Sequence, residues 1–169
     1  MRVREVTKRR TAGADAFERD AHPERFALLH FTAHAAANVE SPLDSAVILT
    51  GPENAFKLYA RDVAEQSLHA DLVTVSACRS AGERAYSGEG LVGFAWAFLR
   101  AGARGVIAGL WDVDDRSTAE LMDVLYGRLA AGDPAPRALR EAKRSIMARG
   151  GNSARPYYWA PFQLYTVSP

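Results

Sequence analysis

The chain of 169 residues has a single cysteine, Cys78, so it forms no internal disulfide and no cysteine-based zinc cluster. It also lacks an excess of charge of one sign. Its 21 Lys and Arg face 20 Asp and Glu, a net charge of +1, which removes the basic footprint of a nucleic-acid binder or an anionic-membrane binder. No apolar run reaches the roughly 18 residues of a membrane span. The N-terminal stretch MRVREVTKRRTAGADAFERD has basic residues with no apolar segment behind them, so no secretory leader is expected. These absences lead to the expectation of a cytoplasmic chain with no nucleic-acid or membrane partner. Internal repeats and low-complexity linkers are missing too, and 48% apolar residues suffice for one domain with a single core.

What is present alternates between two periods. Residues 1–24 are charged and Ala-rich, a polar lead-in with one short helix expected around Ala14–Asp20, and the folded domain is expected over 25–169. FALLHFTA is a short apolar run bounded by Pro23 and a polar loop, which suits a buried strand. AVILT and AFKLY flank GPEN as a small hairpin, and Asp62–Leu68 is expected to be a helix. ADLVTVSAC has the composition of a parallel strand buried on both faces. A polar loop, Arg79–Ser87, separates it from GEGLVGFAWAFLRAG, where Leu91, Phe94, Ala95 and Phe98 recur at helical spacing and Gly102 closes the element. RGVIAGLW is a third strand.

Ser117 with Glu120 matches a capping box before a helix with the stripe Leu121, Met122, Leu125 and Leu129. Pro136 opens a second helix, ended by Gly150 and Gly151, and YYWAPFQLYTV is expected to finish as a strand. Strands alternating with helices imply βαβ crossovers and an α/β fold with a mostly parallel sheet.

Two histidines stand out, His30 and His34 in LLHFTAHAAANVESP. On a strand they share a face but lie about 13 Å apart, too far for one metal ion, and HExxH is absent. His30, inside the apolar run, is expected to be a hydrogen-bonded core residue. His34 is placed at the carboxyl end of its strand, where open α/β sheets put their ligands. Cys78 has the same placement in SACRS. Two such strand ends side by side would bring a thiol and an imidazole into one crevice. A thiol of ordinary pKa, about 8.5, needs a neighbouring base to act as a nucleophile, and histidine supplies one. Taken alone, the residues leave a core thiol equally open.

HFTAH followed by SACRS, then GEGLVGFAWAFLRAGARGVIAGLWDVDDRSTAELM, ALREA and YYWAPF, resembles the CHAT domain, a peptidase relative of caspases and separase, from about Ala27 to Thr166. The resemblance implies a caspase-like three-layer α/β/α sandwich. It also implies a catalytic dyad of His34 and Cys78, with an oxyanion hole from the backbone N–H groups of Ala35 and Cys78. The implied activity is cysteine endopeptidase hydrolysis of a protein substrate without metal or cofactor. Ala35 stands where the family usually has Gly, and Ser80 where it commonly has Thr. Such domains usually carry a further strand and helix upstream, so the chain is expected to be part of something longer. The expected partner is an upstream TPR or other sensor segment that orders Arg79–Ser87 and aligns the dyad. A catalytically silent CHAT fold serving as a protein-interaction module is the alternative.

Around the expected site, Ser76 lies two residues before Cys78 on the same strand face and is assigned to the substrate pocket floor, with Asp112 or Asp115 as wall residues. In separase an acidic residue eight positions after the tryptophan of the WDV motif receives a basic P1 side chain. The equivalent count from Trp111 reaches Ala119, so a small or apolar P1 is expected. GEGLVG satisfies GxGxxG, but nine residues separate it from the strand, so its glycines are assigned to helix entry and close packing. Trp96, Trp111 and Trp159 are expected in the core. Asp112, Asp114 and Asp115 also suit the start of a helix on charge alone.

Overall fold

The computed structural model describes residues 23–38, 40–49, 56–76, 78–79, 87–111 and 114–167. The short helix expected near Ala14–Asp20, the GPEN turn and most of the loop after Arg79 lie outside these residues.

The run FALLHFTAHAA supplies β1 (Leu28–Phe31) and β2 (His34–Ala36), and ADLVTVSACR supplies β5 (Leu72–Val75) and β6 (Cys78–Arg79). β1 runs parallel to β5, and β2 runs parallel to β6. In both ladders each residue faces the one 44 positions later: Leu28 faces Leu72, and His34 faces Cys78. The second ladder therefore continues the first, past an interruption at Thr32 and Ala33. β7 (Gly105–Gly109) pairs in parallel with β5, and β8 (Phe162–Thr166) pairs antiparallel with β7. The expected hairpin is β3 (Ala46–Ile48) with β4 (Lys57–Tyr59), and β3 pairs antiparallel with β2. The strand orders are β1-β5-β7-β8 and β4-β3-β2-β6. The pairing is parallel at the centre and antiparallel at both margins, an α/β architecture.

The strand period of two divides the core. Val73, Val75, Val106 and Ala108 pack with Phe94, Ala97 and Phe98 of α2 (Ser87–Arg100) and with Val63 of α1 (Ala60–Ala64). The alternate residues Leu72 and Ile107 join Phe162 and a second cluster. That cluster includes Leu121, Leu125 and Leu129 of α3 (Asp115–Ala130) and Leu139, Ala142 and Ile146 of α4 (Ala135–Ala148). Strands with both faces apolar are thereby explained: each face has its own helices to pack against.

Of the glycines of GEGLVG, Gly93 serves packing. A Cβ at Gly93 would come within 2.7 Å of the Pro42 carbonyl oxygen, so glycine lets the turn at Pro42–Asp44 seat against α2. Gly102 closes α2 with φ of 109°, in the left-handed region.

Several expectations need correction. The helix expected over Asp62–Leu68 is the shorter Ala60–Ala64. α3 starts two residues before Ser117, because the Asp114 carboxylate takes the capping position and accepts the Ser117 N–H at 2.9 Å. Glu120, freed from any capping box, pairs with Arg116 and Arg149 instead. Tyr157, Tyr158 and Trp159 belong to a helical turn, α5 (Pro156–Trp159), with proline at its first position, and the strand begins only at Phe162. Trp96 is 48% exposed rather than in the core, because Phe94, Ala95, Ala97 and Phe98 already occupy the inward side of α2. Trp111 and Trp159 do pack against the second cluster, with their indole N–H groups donating to the carbonyls of Tyr157 and Ala154. Among the described residues, no helix is long and apolar enough to cross a membrane.

Candidate active site

His34 opens β2 rather than ending a strand: two more residues follow in the ladder, and β3 pairs along its other side, with Ile48 opposite His34. Its partner across the parallel ladder is Cys78. Neighbouring strands lie about 4.8 Å apart, and positions opposite one another belong to the same side of the pleat. The two residues singled out for chemistry, 44 apart in sequence, are thus adjacent in the sheet. Ala35 sits in the same ladder, between Val47 on one side and Arg79 on the other.

One step down the sheet lies a set of polar contacts between the same two strands. His30 faces Thr74 in register. Its Nε2 is 2.7 Å from the Ser76 Oγ. The Ser76 hydroxyl turns to the Phe31 carbonyl oxygen at 3.4 Å, and in that arrangement the ring donates from Nε2–H. Helix α3 holds the group from above: the Tyr126 ring lies 5.3 Å from the imidazole, tilted by 32°, and its hydroxyl donates to the Thr74 Oγ1 at 3.0 Å. Burial raises the Tyr126 pKa, and the bond to Thr74 works in the opposite direction.

His30 is hydrogen-bonded, as expected of it, but it is not a core residue: part of the ring meets solvent. The protein packed round the remainder pushes its pKa down to about 4. The solvated side opposes that fall, and the ring is neutral at pH 7. A histidine held below its unfolded value of about 6.5 binds fewer protons in the folded chain. Its contribution to stability is therefore full above about pH 6.5 and is lost as the pH falls toward 4. Urea midpoints measured at pH 7 and pH 5 are expected to differ more for the wild type than for His30→Gln. Equal losses in both would contradict this assignment.

Ser76 is 9% exposed, and its hydroxyl is already engaged by His30 and Phe31. Asp115 is exposed at the first turn of α3. That helix follows β7, the neighbour of β5, so Asp115 belongs to the same carboxyl-end rim as Cys78. Asp112 lies outside the described residues. Asp114 serves the helix cap. The Tyr126–Thr74 and His30–Ser76 bonds carry no sequence signal, since their partners are 52 and 46 residues apart.

Comparison with known proteins decides the family. Residues 3–166 match the CHAT domain. The chain belongs to the CHAT domain family. Among curated proteins, this CHAT domain is 32% identical over 129 residues to tetratricopeptide repeat protein 28 of Mus musculus, covering 76% of the chain and 5% of that protein. It is 30% identical over 107 residues to tetratricopeptide repeat protein 28 of Homo sapiens, covering 63% of the chain and 4% of that protein. The chain thus spans about one-twentieth of the length of the relatives it matches.

Proposed function

We propose that this CHAT domain is a cysteine endopeptidase built as a caspase-like three-layer α/β/α sandwich and acting on a protein substrate through Cys78 and His34. The observation that carries the reading is the register pairing of these two residues on adjacent parallel strands. In the proposed reaction the Cys78 sulfur adds to the scissile carbonyl carbon, and the oxyanion is held by backbone N–H groups of Ala35 and Cys78. His34 carries the thiol proton to the leaving amine, the C–N bond breaks, and a thioester remains. His34 then takes a proton from water as the hydroxyl adds to the thioester. Collapse releases the carboxylic acid and returns the thiol. No step calls on a metal or cofactor. A lone cysteine in a near-neutral chain fits a reducing, cytoplasmic setting.

We assign control to an upstream partner segment that acts where the register sets His34 beside Cys78. The relatives named for tetratricopeptide repeats fit an upstream repeat segment in that role. The second reading is a catalytically silent CHAT fold serving as an interaction module.

A test is covalent labelling read by mass spectrometry. Peptide chloromethyl ketones with Ala or Leu at P1 are expected to label Cys78 faster than the bare reagent and faster than peptides with Arg, with Ser76, Asp112 and Asp115 contributing to the pocket and with no effect of EDTA. Labelling of Cys78 at the rate of the bare reagent, whatever the peptide, would contradict the reading.

A further inference from the structure

We propose that His30 is a positioning residue for the dyad, acting through Ser76 to fix the strand that carries His34 against the strand that carries Cys78. This rests on the dyad reading above and adds a residue to it. The parallel ladder that sets the dyad is interrupted just before it: Thr32 and Ala33 belong to neither β1 nor β2. Among the described residues, a backbone bond from the Ser76 N–H to the Phe31 carbonyl oxygen at 3.0 Å reaches this point, and a side-chain bond beside it would add resistance to shear of the strand ends. A slip of one residue would put His34 opposite a neighbour of Cys78 and on the opposite side of the pleat.

The His30–Ser76 bond bridges this interruption. His30 is the third residue of β1, and Ser76 follows β5 directly, so the 2.7 Å contact joins one strand to the other at the point where the regular ladder ends. The contact runs on a diagonal, from His30 to the residue two beyond its register partner Thr74, a reach suited to a ring side chain. Ser76 is a buried hydroxyl that loses a partner if His30 is removed, so the bond is favoured over shear. The ring has little freedom of its own, because Tyr126 packs on it while bonded to Thr74. From this bridge His34 is four residues along one strand and Cys78 two along the other. The bridge therefore constrains both members of the dyad.

The test compares the wild type with His30→Ala, His30→Gln, Ser76→Ala, the double variant and His34→Ala in the full-length protein. It measures the rate of Cys78 carbamidomethylation by iodoacetamide at pH 7, kcat and KM for peptide hydrolysis, and thermal melts. His30→Ala and Ser76→Ala are each expected to lower the alkylation rate and kcat by about three- to tenfold, the range of one lost hydrogen bond. KM should stay unchanged. The double variant should lose no more than either single one, and His30→Gln, whose amide reaches the same hydroxyl, should recover most of the rate. Additive losses, a change in KM alone, or an unchanged rate in a folded His30→Ala would overturn the proposal. If His34→Ala slows alkylation and His30→Ala does not, the bridge alone fails. If His34→Ala leaves the alkylation rate as it was, the dyad reading fails and the bridge falls with it.

Discussion

Cys78→Ala is expected to abolish peptide hydrolysis, and His34→Ala to slow it by about 10²- to 10⁴-fold, the usual contribution of a positioned general acid–base. Both effects follow from the pairing of the two residues across the β2·β6 ladder. Neither should unfold the chain. His34 is exposed at the start of a short strand, so its loss should move stability by no more than about 0.5 kcal/mol, and Cys78→Ala should stay within about 1–2 kcal/mol. Initial rates on a peptide substrate, with melts of the same samples, separate a chemical effect from a structural one. Full hydrolysis by Cys78→Ala would remove the nucleophile from the account. A loss of less than about twofold in His34→Ala would remove the base.

The largest stability effect is expected at Phe98. Its side chain is fully buried in α2, with ring centroids 5.3 Å from Phe31 and 6.2 Å from Phe94. Phe98→Ala would leave a cavity beneath β1 at the residue just before the strand interruption. The expected cost is about 3–5 kcal/mol, a large share of the roughly 5–15 kcal/mol available to a domain. Guanidinium denaturation followed by circular dichroism measures it. A cost below about 1 kcal/mol would mean that the cluster around α2 is not the support of this face. Because Phe31 leads into β2, the cysteine alkylation rate should fall in the same variant even where it remains folded.

Much of this was legible in the amino-acid sequence because the signals were local. LVTV and GVIAG are short, mostly apolar runs, and both became strands buried along their whole length. The stripe of Leu121, Leu125 and Leu129 became the buried side of α3. Pairing of HFTAH with SACRS was legible through the family resemblance and not through periodicity. What sequence patterns missed depends on competition between neighbours. Ser117 and Glu120 satisfy the spacing of a capping box, yet Asp114 is a stronger acceptor placed three residues earlier, and it took the cap. Tyr157 to Trp159 have strand-forming side chains, but Pro156 fixes a helical start, and the rings of Tyr158 and Trp159 pack from a turn. Trp96 has core chemistry on the outer side of a helix whose inner side was already full. The contacts of His30 with Ser76 and Tyr126 arise only once β1, β5 and α3 are assembled.

A Cys78 nucleophile served by His34 has a signature in its titration. The pH dependence of Cys78 alkylation in the wild type and in His34→Ala tests it most directly. The wild-type midpoint is expected well below the ordinary thiol value of about 8.5, returning toward that value in His34→Ala. Superimposable profiles for the two proteins, both centred near the ordinary thiol value, would contradict it.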